Sequence, residues 1–279
     1  MTFNTKLVSS LDKKQTRLCV GLDSRYDKIP EDMRQGSIKD TVFYFNKQII
    51  EATQDLACVY KMNVAFYAGF REEGLEALQL TNEFLHETYP DIPLLADCKN
   101  SEMGESVNMI KQEMFDWLGF DCVMVTPWFG FDTVREYLDD EYHGVCVYVH
   151  DSNPSASEFQ DLELKDGRKV YEVVADHVAK KWNMNGNVFV EAGVTYPDAL
   201  RKTREIIGEE LPLLVAGVGP QGGKVEALQG LFGKNTYRLA VNSSRGIIFA
   251  GIGKPDYFSA VRNAAITLAQ TIDAVAKQS

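Results

Sequence analysis

The chain has 279 residues, of which 45% are apolar and 25% charged, an ordinary globular composition that can supply a substantial core. The formal net charge of −11 argues against a nucleic-acid binder or a protein that docks on anionic membranes, although a local basic pocket could still hold a small anion. No apolar run is long enough to span a bilayer, and residues 1–15 lack a signal-peptide core. We therefore expect a soluble, cytoplasmic protein.

Eight short runs rich in Val, Leu, Ile, Cys and Ala recur along the chain. They cover residues 17–22, 56–61, 92–97, 121–126, 145–149, 187–193, 211–217 and 238–242. Nearly continuous apolar runs of this length are typical of strands buried on both faces of a parallel sheet. The sequence therefore predicts eight such strands.

Amphipathic segments separate these runs, with apolar residues repeating every three or four positions, as on the buried face of a helix. The clearest stripes are Val42, Phe45, Ile49 and Ala52; Met103, Val107, Ile110, Met114 and Trp117; Val170, Val173, Val174, His177 and Val178; and Phe258, Val261, Ala265, Leu268, Ile272 and Val275. Eight alternations of strand and helix favour a closed α/β barrel over an open doubly wound sheet. We predict a single (β/α)8 TIM barrel domain over residues 1–279, with His177 packed on its helix.

The cysteines lie in apolar, strand-like segments at Cys19, Cys58, Cys98, Cys122 and Cys146. None forms a Cys-x-x-Cys pair, and no Cys or His spacing matches a zinc site. We expect small buried thiols in a reducing compartment and no metal centre.

Polar side chains fall where predicted strands end, at the face of such a barrel that carries reactive groups. They are Asp23, Lys61, Asp97, Lys99, Ser152, Asn153 and Arg245. Two lysines and two carboxylates in one pocket would couple their titrations and hold all four charges. This array suits a reaction that develops a carbanion. An ion-pair network that rigidifies the barrel mouth would produce the same pattern, so both interpretations stay open here.

Two further segments follow the seventh and eighth predicted strands. Residues 217–223 read Gly-Val-Gly-Pro-Gln-Gly-Gly, and residues 242–246 read Asn-Ser-Ser-Arg-Gly. These positions form the usual phosphate site of a barrel, where backbone N–H groups face the anion, and Arg245 could add a two-pronged contact. Glycines also serve tight turns, so the prediction of a phosphate site depends on their place in the barrel.

Six segments in this order resemble orotidine 5′-phosphate decarboxylase in its longer bacterial form. They are residues 18–23, 60–66 (YKMNVAF), 97–99, 152–162 (SNPSASEFQDL), 218–223 and 241–246 (VNSSRG). The resemblance implies conversion of orotidine monophosphate to uridine monophosphate and carbon dioxide in de novo pyrimidine biosynthesis, with no metal and no organic cofactor. It also implies a homodimer whose sites lie at the subunit interface.

The resemblance assigns roles to individual residues. Asp23 and Lys61 would contact the ribose within the charge network, Asp97 would face the departing carboxylate, and Lys99 would protonate the C6 carbanion. The residues that would bind the rest of the nucleotide are Ser152, Asn153 and Pro154 at the pyrimidine, Ser106 at the ribose, and Gln221, Gly222 and Arg245 at the phosphate.

Glu102 is the departure from the family pattern that matters most. The family's third strand reads Asp-x-Lys-x-x-Asp, and the second Asp reaches into the partner's site; here that position is Glu102. The extra methylene matters because a misplacement of about 1 Å can cost ~10²-fold in rate. Glu102 could equally serve as a favourable acid in the first turn of the third helix, and both roles can coexist.

Smaller departures accompany it: Asn100-Ser101 replaces the usual Arg-Gly, Ser106 replaces a Thr, and Thr126-Pro127-Trp128 replaces an Asn-Pro-aromatic run.

Two alternative functions therefore remain open beside that of a decarboxylase. One is a related barrel enzyme acting on another phosphorylated substrate, and the other is a weakly active nucleotide-binding paralogue. Segment 152–162 favours the decarboxylase, because pyrimidine recognition has no purpose in a sugar-phosphate enzyme. The intact Asp97 and Lys99 count against the paralogue.

Overall fold

The computed structural model describes residues 1–219, 222–233 and 238–278. Its eight parallel strands close into a barrel in sequence order, with β1 also pairing with β8. The strands are β1 (Leu18–Gly21), β2 (Ala57–Asn63), β3 (Leu94–Asn100), β4 (Cys122–Val125), β5 (Gly144–His150), β6 (Val188–Gly193), β7 (Leu213–Ala216) and β8 (Leu239–Ser243). The predicted barrel is confirmed, and each strand lies in its predicted run or overlaps it.

Helices surround the barrel and fill most of the strand connections. They are α1 (Phe3–Lys14), α2 (Ile38–Thr53), α3 (Val64–Ala68), α4 (Arg71–Thr88), α5 (Glu105–Lys111), α6 (Asp132–Arg135), α7 (Val170–His177), α8 (Pro197–Ile207), α9 (Arg245–Ile248) and α10 (Tyr257–Ala276). A π-helical turn continues α5 over Gln112–Trp117 and another continues α7 over Val178–Trp182. Between β7 and β8, the described residues form only the short 3₁₀ helix Val225–Leu228. No helix in the described ranges is long and apolar enough to cross a membrane.

One predicted helix stripe is wrong at both ends. Met103 precedes α5 and is half exposed, and Trp117 is exposed at the end of the π-helical turn. Val107 and Met114 carry the buried contact instead. Met103 lies four residues before Val107 and so fits the helical spacing of apolar residues. The helix nevertheless starts only after Gly104, which has a φ of +59°.

Two apolar cores flank the strands because side chains alternate between the faces of the sheet. One lies between the barrel and its helices and includes Leu18, Val20 and Met62. The other fills the barrel interior and includes Val59, Leu95, Met124, Phe189 and Leu214. The interior is therefore a packed core, as is usual for barrels of eight strands.

Helix α1 closes the N-terminal end of the barrel. Phe3, Leu7 and Leu11 belong to the interior core, and the Phe3 ring stacks on Phe189 with centroids 5.3 Å apart. Gly144 makes room for this contact, because a Cβ there would lie 2.5 Å from the Phe3 ring. With this end sealed, the polar residues at the opposite strand ends face the open mouth.

The cysteines are buried as predicted at Cys19, Cys58, Cys122 and Cys146, while Cys98 is partly exposed. Burial raises the pKa of Cys58 to about 12 and that of Cys98 to about 11, which keeps both thiols protonated near neutral pH.

We predict that Phe3→Ala lowers the free energy of unfolding by roughly 3–5 kcal/mol, because the side chain is 1% exposed and its removal leaves a cavity under the barrel. Tyr142→Ala is the control, an exposed aromatic in the loop before β5, where a change within about 0.5 kcal/mol is expected. Denaturant unfolding measures both. A loss below about 1 kcal/mol for Phe3→Ala would contradict the sealing role of α1.

Candidate active site

A cavity of about 430 Å³ opens at the C-terminal ends of the strands. Among its walls are seven of the residues singled out from the sequence: Asp23, Lys61, Asp97, Lys99, Ser152, Asn153 and Arg245. They come from five different strands or the loops that follow them. The closed barrel thus brings together residues that are more than 200 positions apart in the chain.

Asp97 is the centre of the charge network in this cavity. Lys61 Nζ lies 2.8 Å from Asp97 Oδ2, and the ammonium of Lys99 bonds the other oxygen, Oδ1. Lys61 also lies 4.0 Å from Asp23 Oδ1, which accepts a hydrogen bond of 3.0 Å from the Asn63 amide. Each oxygen of the Asp97 carboxylate is therefore held by a different lysine.

Mutual attraction keeps the buried members of this network charged. Burial opposes the ionisation of Asp97, but Lys61 and Lys99 outweigh it and lower the pKa of this carboxyl below its usual value. Burial likewise disfavours the Lys61 ammonium, yet Asp23 and Asp97 raise its pKa. The cavity thus holds a fixed array of opposite charges before any ligand enters.

Lys99 is the more exposed of the two lysines, since 42% of its side chain is exposed against 5% for Lys61. Its ammonium lies 4.9 Å from the centroid of the Tyr148 ring. Its backbone has a φ of +49°, the left-handed region that residues with a Cβ adopt at a cost of about 1–2 kcal/mol. This conformation at the end of β3 aims the side chain back over the strand toward Asp97.

The loop after β5 carries Ser152 and Asn153 to the cavity. Thr195 Oγ1 donates a hydrogen bond of 2.8 Å to the Ser152 carbonyl, and the Tyr196 hydroxyl donates to the carbonyls of Asn153 and Pro154. Gly193 permits this approach, because a Cβ there would lie 2.7 Å from the Ser152 Cα. Pro154 itself is exposed and begins a 3₁₀ turn away from the cavity wall.

The end of the cavity predicted to bind phosphate is formed by the segments after β7 and β8. Gly217, Val218, Ser243, Ser244 and Arg245 line it. The Ser244 hydroxyl is buried and has no hydrogen-bond partner among the described residues. Gly222 is described but lies off the cavity wall, and Gln221 lies outside the described residues.

Glu102 and Ser106 do not line this cavity. Both are exposed, and α5 begins only at Glu105. Glu102 therefore lies before the helix that follows β3, and the prediction that it is an acid in the first turn of that helix is wrong. Two of the smaller departures contact each other, since the hydroxyls of Ser101 and Thr126 form a hydrogen bond.

The structure adds cavity residues that the sequence analysis overlooked, chiefly Tyr148, Glu191 and Asn63. Glu191 lies inside the apolar run of β6, two residues after the inward-facing Phe189. A lone acid at an inward position near a strand end was the available signal. In the described ranges, no group of three or more His, Cys, Asp or Glu side chains is placed to hold a metal ion.

We predict that Lys99→Gly is more stable than Lys99→Ala by about 1 kcal/mol, because both remove the amine but only glycine adopts a positive φ without strain. Lys111 in α5 provides the matched control, since its φ is −58° and Ala should there exceed Gly by roughly 0.5–1 kcal/mol. Denaturant unfolding of the four variants gives both differences. Equal or greater stability of Lys99→Ala would mean that the backbone there is not strained.

Comparison with known proteins assigns this arrangement to a family. Residues 16–255 match the "Orotidine 5'-phosphate decarboxylase / HUMPS family". A relative called orotidine 5'-phosphate decarboxylase, from Janthinobacterium sp. (strain Marseille), is 37% identical over 251 residues, 90% of each chain. One of the same name from Bordetella pertussis is 36% identical over 277 residues, 99% of each chain. The structure of Leishmania donovani OMP decarboxylase superposes with a TM-score of 0.83 at 26% identity, covering 99% of both chains. The chain therefore belongs to the orotidine 5′-phosphate decarboxylase / HUMPS family.

Proposed function

We propose that this chain, as one barrel domain, decarboxylates orotidine 5′-phosphate to uridine 5′-phosphate in de novo pyrimidine biosynthesis. The observation that carries the proposal is the Lys61–Asp97–Lys99 array at the mouth of a barrel that belongs to this family. We place the enzyme in the cytoplasm on the family resemblance.

Asp97 and Lys99 account for the chemical step. The substrate carboxylate, placed against the ionised Asp97, is repelled by it, and this repulsion disappears as neutral carbon dioxide leaves. The C6–carboxylate bond breaks and its electron pair stays on C6, beside the Lys99 ammonium. Lys99 Nζ then donates its proton to C6 and regains a proton from solvent. Lys61 keeps Asp97 ionised throughout.

The remaining cavity residues suit the other parts of the nucleotide. Asp23 lies beside Lys61 and can accept hydrogen bonds from ribose hydroxyls, while Ser152 and Asn153 can bind the pyrimidine edge. Arg245 carries the charge suited to the phosphate. Pro154, Gly222 and Ser106 remain predictions from the resemblance because they do not line the cavity, and Gln221 remains one because it lies outside the described residues.

We also propose that the enzyme is a homodimer in which Glu102 serves the partner's site. Glu102 is exposed and does not line the cavity of its own chain, so its carboxylate is free to serve another subunit. Large apolar side chains are exposed at the adjacent Met103 and at Trp128, Phe129 and Phe159, and the rings of Trp128 and Phe159 contact each other. A second subunit over this surface would bury them.

We predict that purified protein consumes orotidine monophosphate with a chelator present and no added cofactor, as followed by absorbance. Lys99→Ala should abolish turnover and leave binding of uridine monophosphate largely intact, because it removes the proton donor and spares the other cavity walls. Activity that needs a divalent metal would refute the mechanism. Absence of activity in a folded protein that binds the product would favour the weakly active paralogue, and absence of binding would favour another phosphorylated substrate.

We predict that Glu102→Gln lowers kcat well beyond tenfold if the carboxylate completes the partner's charge array. Glu102→Asp separates two cases: its activity falls if the site is adapted to the longer side chain, and matches or exceeds wild type if Glu is a tolerated imperfection. Mixing Glu102→Gln with Lys99→Ala under subunit exchange should restore partial activity, since some heterodimers would carry one intact site. No recovery, with exchange confirmed independently, would exclude a role of Glu102 across the interface.

A further inference from the structure

Glu191 is an acid in the cavity wall that the proposed chemistry does not use. It lies on β6 between β5 and β7, points into the barrel and is 1% exposed. One of its oxygens, Oε2, is buried without a hydrogen-bond partner among the described residues. A buried carboxylate normally has its oxygens satisfied, so this side chain calls for an explanation.

Among the described residues, the surroundings of Glu191 contain both signs of charge, but each cation there is also bound by another carboxylate. Tyr148 and Cys146 face it from β5. Lys61 faces it from β2, and Asp97 and Lys99 from β3. Cys19 faces it from β1, and the neighbouring β7 residue is the apolar Leu214.

Both lysines are already engaged by other carboxylates. Asp97 binds Lys61 and Lys99 through separate oxygens, and Lys61 also faces Asp23. Burial, followed by repulsion from Asp97, raises the pKa of Glu191 to about 8, although Lys99, Lys61 and Tyr148 oppose the rise. When two carboxylates share a buried site, the one with poorer compensation keeps its proton.

The charge of the empty cavity therefore depends on Glu191. Asp23, Asp97 and Asp151 balance Lys61, Lys99 and Arg245, so these six groups of the cavity wall sum to zero when Glu191 is neutral, and the site becomes −1 when it ionises. An incoming carboxylate would then face two buried anions, Asp97 and Glu191, instead of one. Repulsion of this kind is strong because the site is shielded from water.

We propose that Glu191 stands in this cavity as the uncharged acid, and that this charge state is what lets the site accept a substrate bearing a carboxylate. The inference rests on the proposed function for the identity of that substrate. Glu191 is here a specificity-determining residue, because it selects through the charge of the site and takes no part in bond breaking.

The proposal separates binding from chemistry. A bound carboxylate favours the protonated form of Glu191, so the enzyme–substrate complex keeps its proton at a pH where the free enzyme has lost it. The profile of kcat/KM reports groups of the free enzyme, while that of kcat reports the complex. Alkaline pH should therefore raise KM and leave kcat nearly unchanged.

The kinetic test compares wild type with Glu191→Gln, a neutral isostere, and with Glu141→Gln, an exposed control at the sealed end of the barrel. Wild type and the control should lose about 30-fold in kcat/KM between about pH 7 and about pH 9.5, with kcat changing less than about twofold. Glu191→Gln should lose less than about threefold. An equal alkaline loss in Glu191→Gln overturns the proposal. Glu191→Met, also uncharged, replaces the Gln variant if that variant does not fold.

A second test needs no substrate and so separates this inference from the proposed function. The folded pKa of Glu191 lies above its usual value of 4.5, so its stabilising effect is complete below about pH 4.5 and is lost as pH rises through about 8. The melting temperature of wild type should fall relative to Glu191→Gln by at least about 3 °C from about pH 5 to about pH 8.

Infrared spectra of ligand-free wild type should show a protonated carboxyl band that disappears above about pH 8. A constant difference in melting temperature, or no such band, would show that Glu191 is ionised and overturn the proposal even if the enzyme is active.

Discussion

The contact on which the rest of the site depends is the double ion pair at Asp97. A single buried carboxylate holds Lys61 through one oxygen and Lys99 through the other. Removing either lysine would leave an uncompensated charge in a shielded cavity, which costs several kcal/mol. The pair therefore constrains the ends of β2 and β3 together, and it explains why Lys99 can be held with a left-handed backbone. Strain at this position persists because the surrounding contacts fix it.

The barrel supplies this site through a simple alternation. Inward residues on a strand are two positions apart, so each strand contributes one residue to an apolar layer and the next to the layer above. Val59 precedes Lys61 in this way, Leu95 precedes Asp97, and Phe189 precedes Glu191. The lower layer packs on α1 and excludes water from below. The charges of the upper layer therefore lie directly above a packed apolar layer. Exclusion of water by this lower layer strengthens the electrostatic interactions among them.

The sequence predicted the barrel well because buried parallel strands leave a strong local signal. It predicted Lys61, Asp97 and Lys99 because charged residues at strand ends stand out against apolar runs. Glu191 was missed for the opposite reason: it lies within such a run, and its proximity to Asp97 depends on barrel closure. The stripe through Met103 failed because apolar spacing does not record where a helix starts, which Gly104 and its positive φ determine here.

The chain as a whole is acidic, yet its proposed substrate is an anion. A net charge of −11 repels a nucleotide at long range, but that repulsion is screened beyond roughly 8–10 Å at physiological salt. Inside the cavity the local balance decides: Asp23 and Asp97 face Lys61 and Lys99, and Asp151 accepts a hydrogen bond from Gln160, whereas Glu191 faces only lysines that Asp97 already binds. Neutralising that residue by a proton costs less than burying a third cation, which would have to be desolvated and would compete with Lys99 for Asp97. A neutral acid thus leaves the array around Asp97 intact while the substrate supplies the next negative charge.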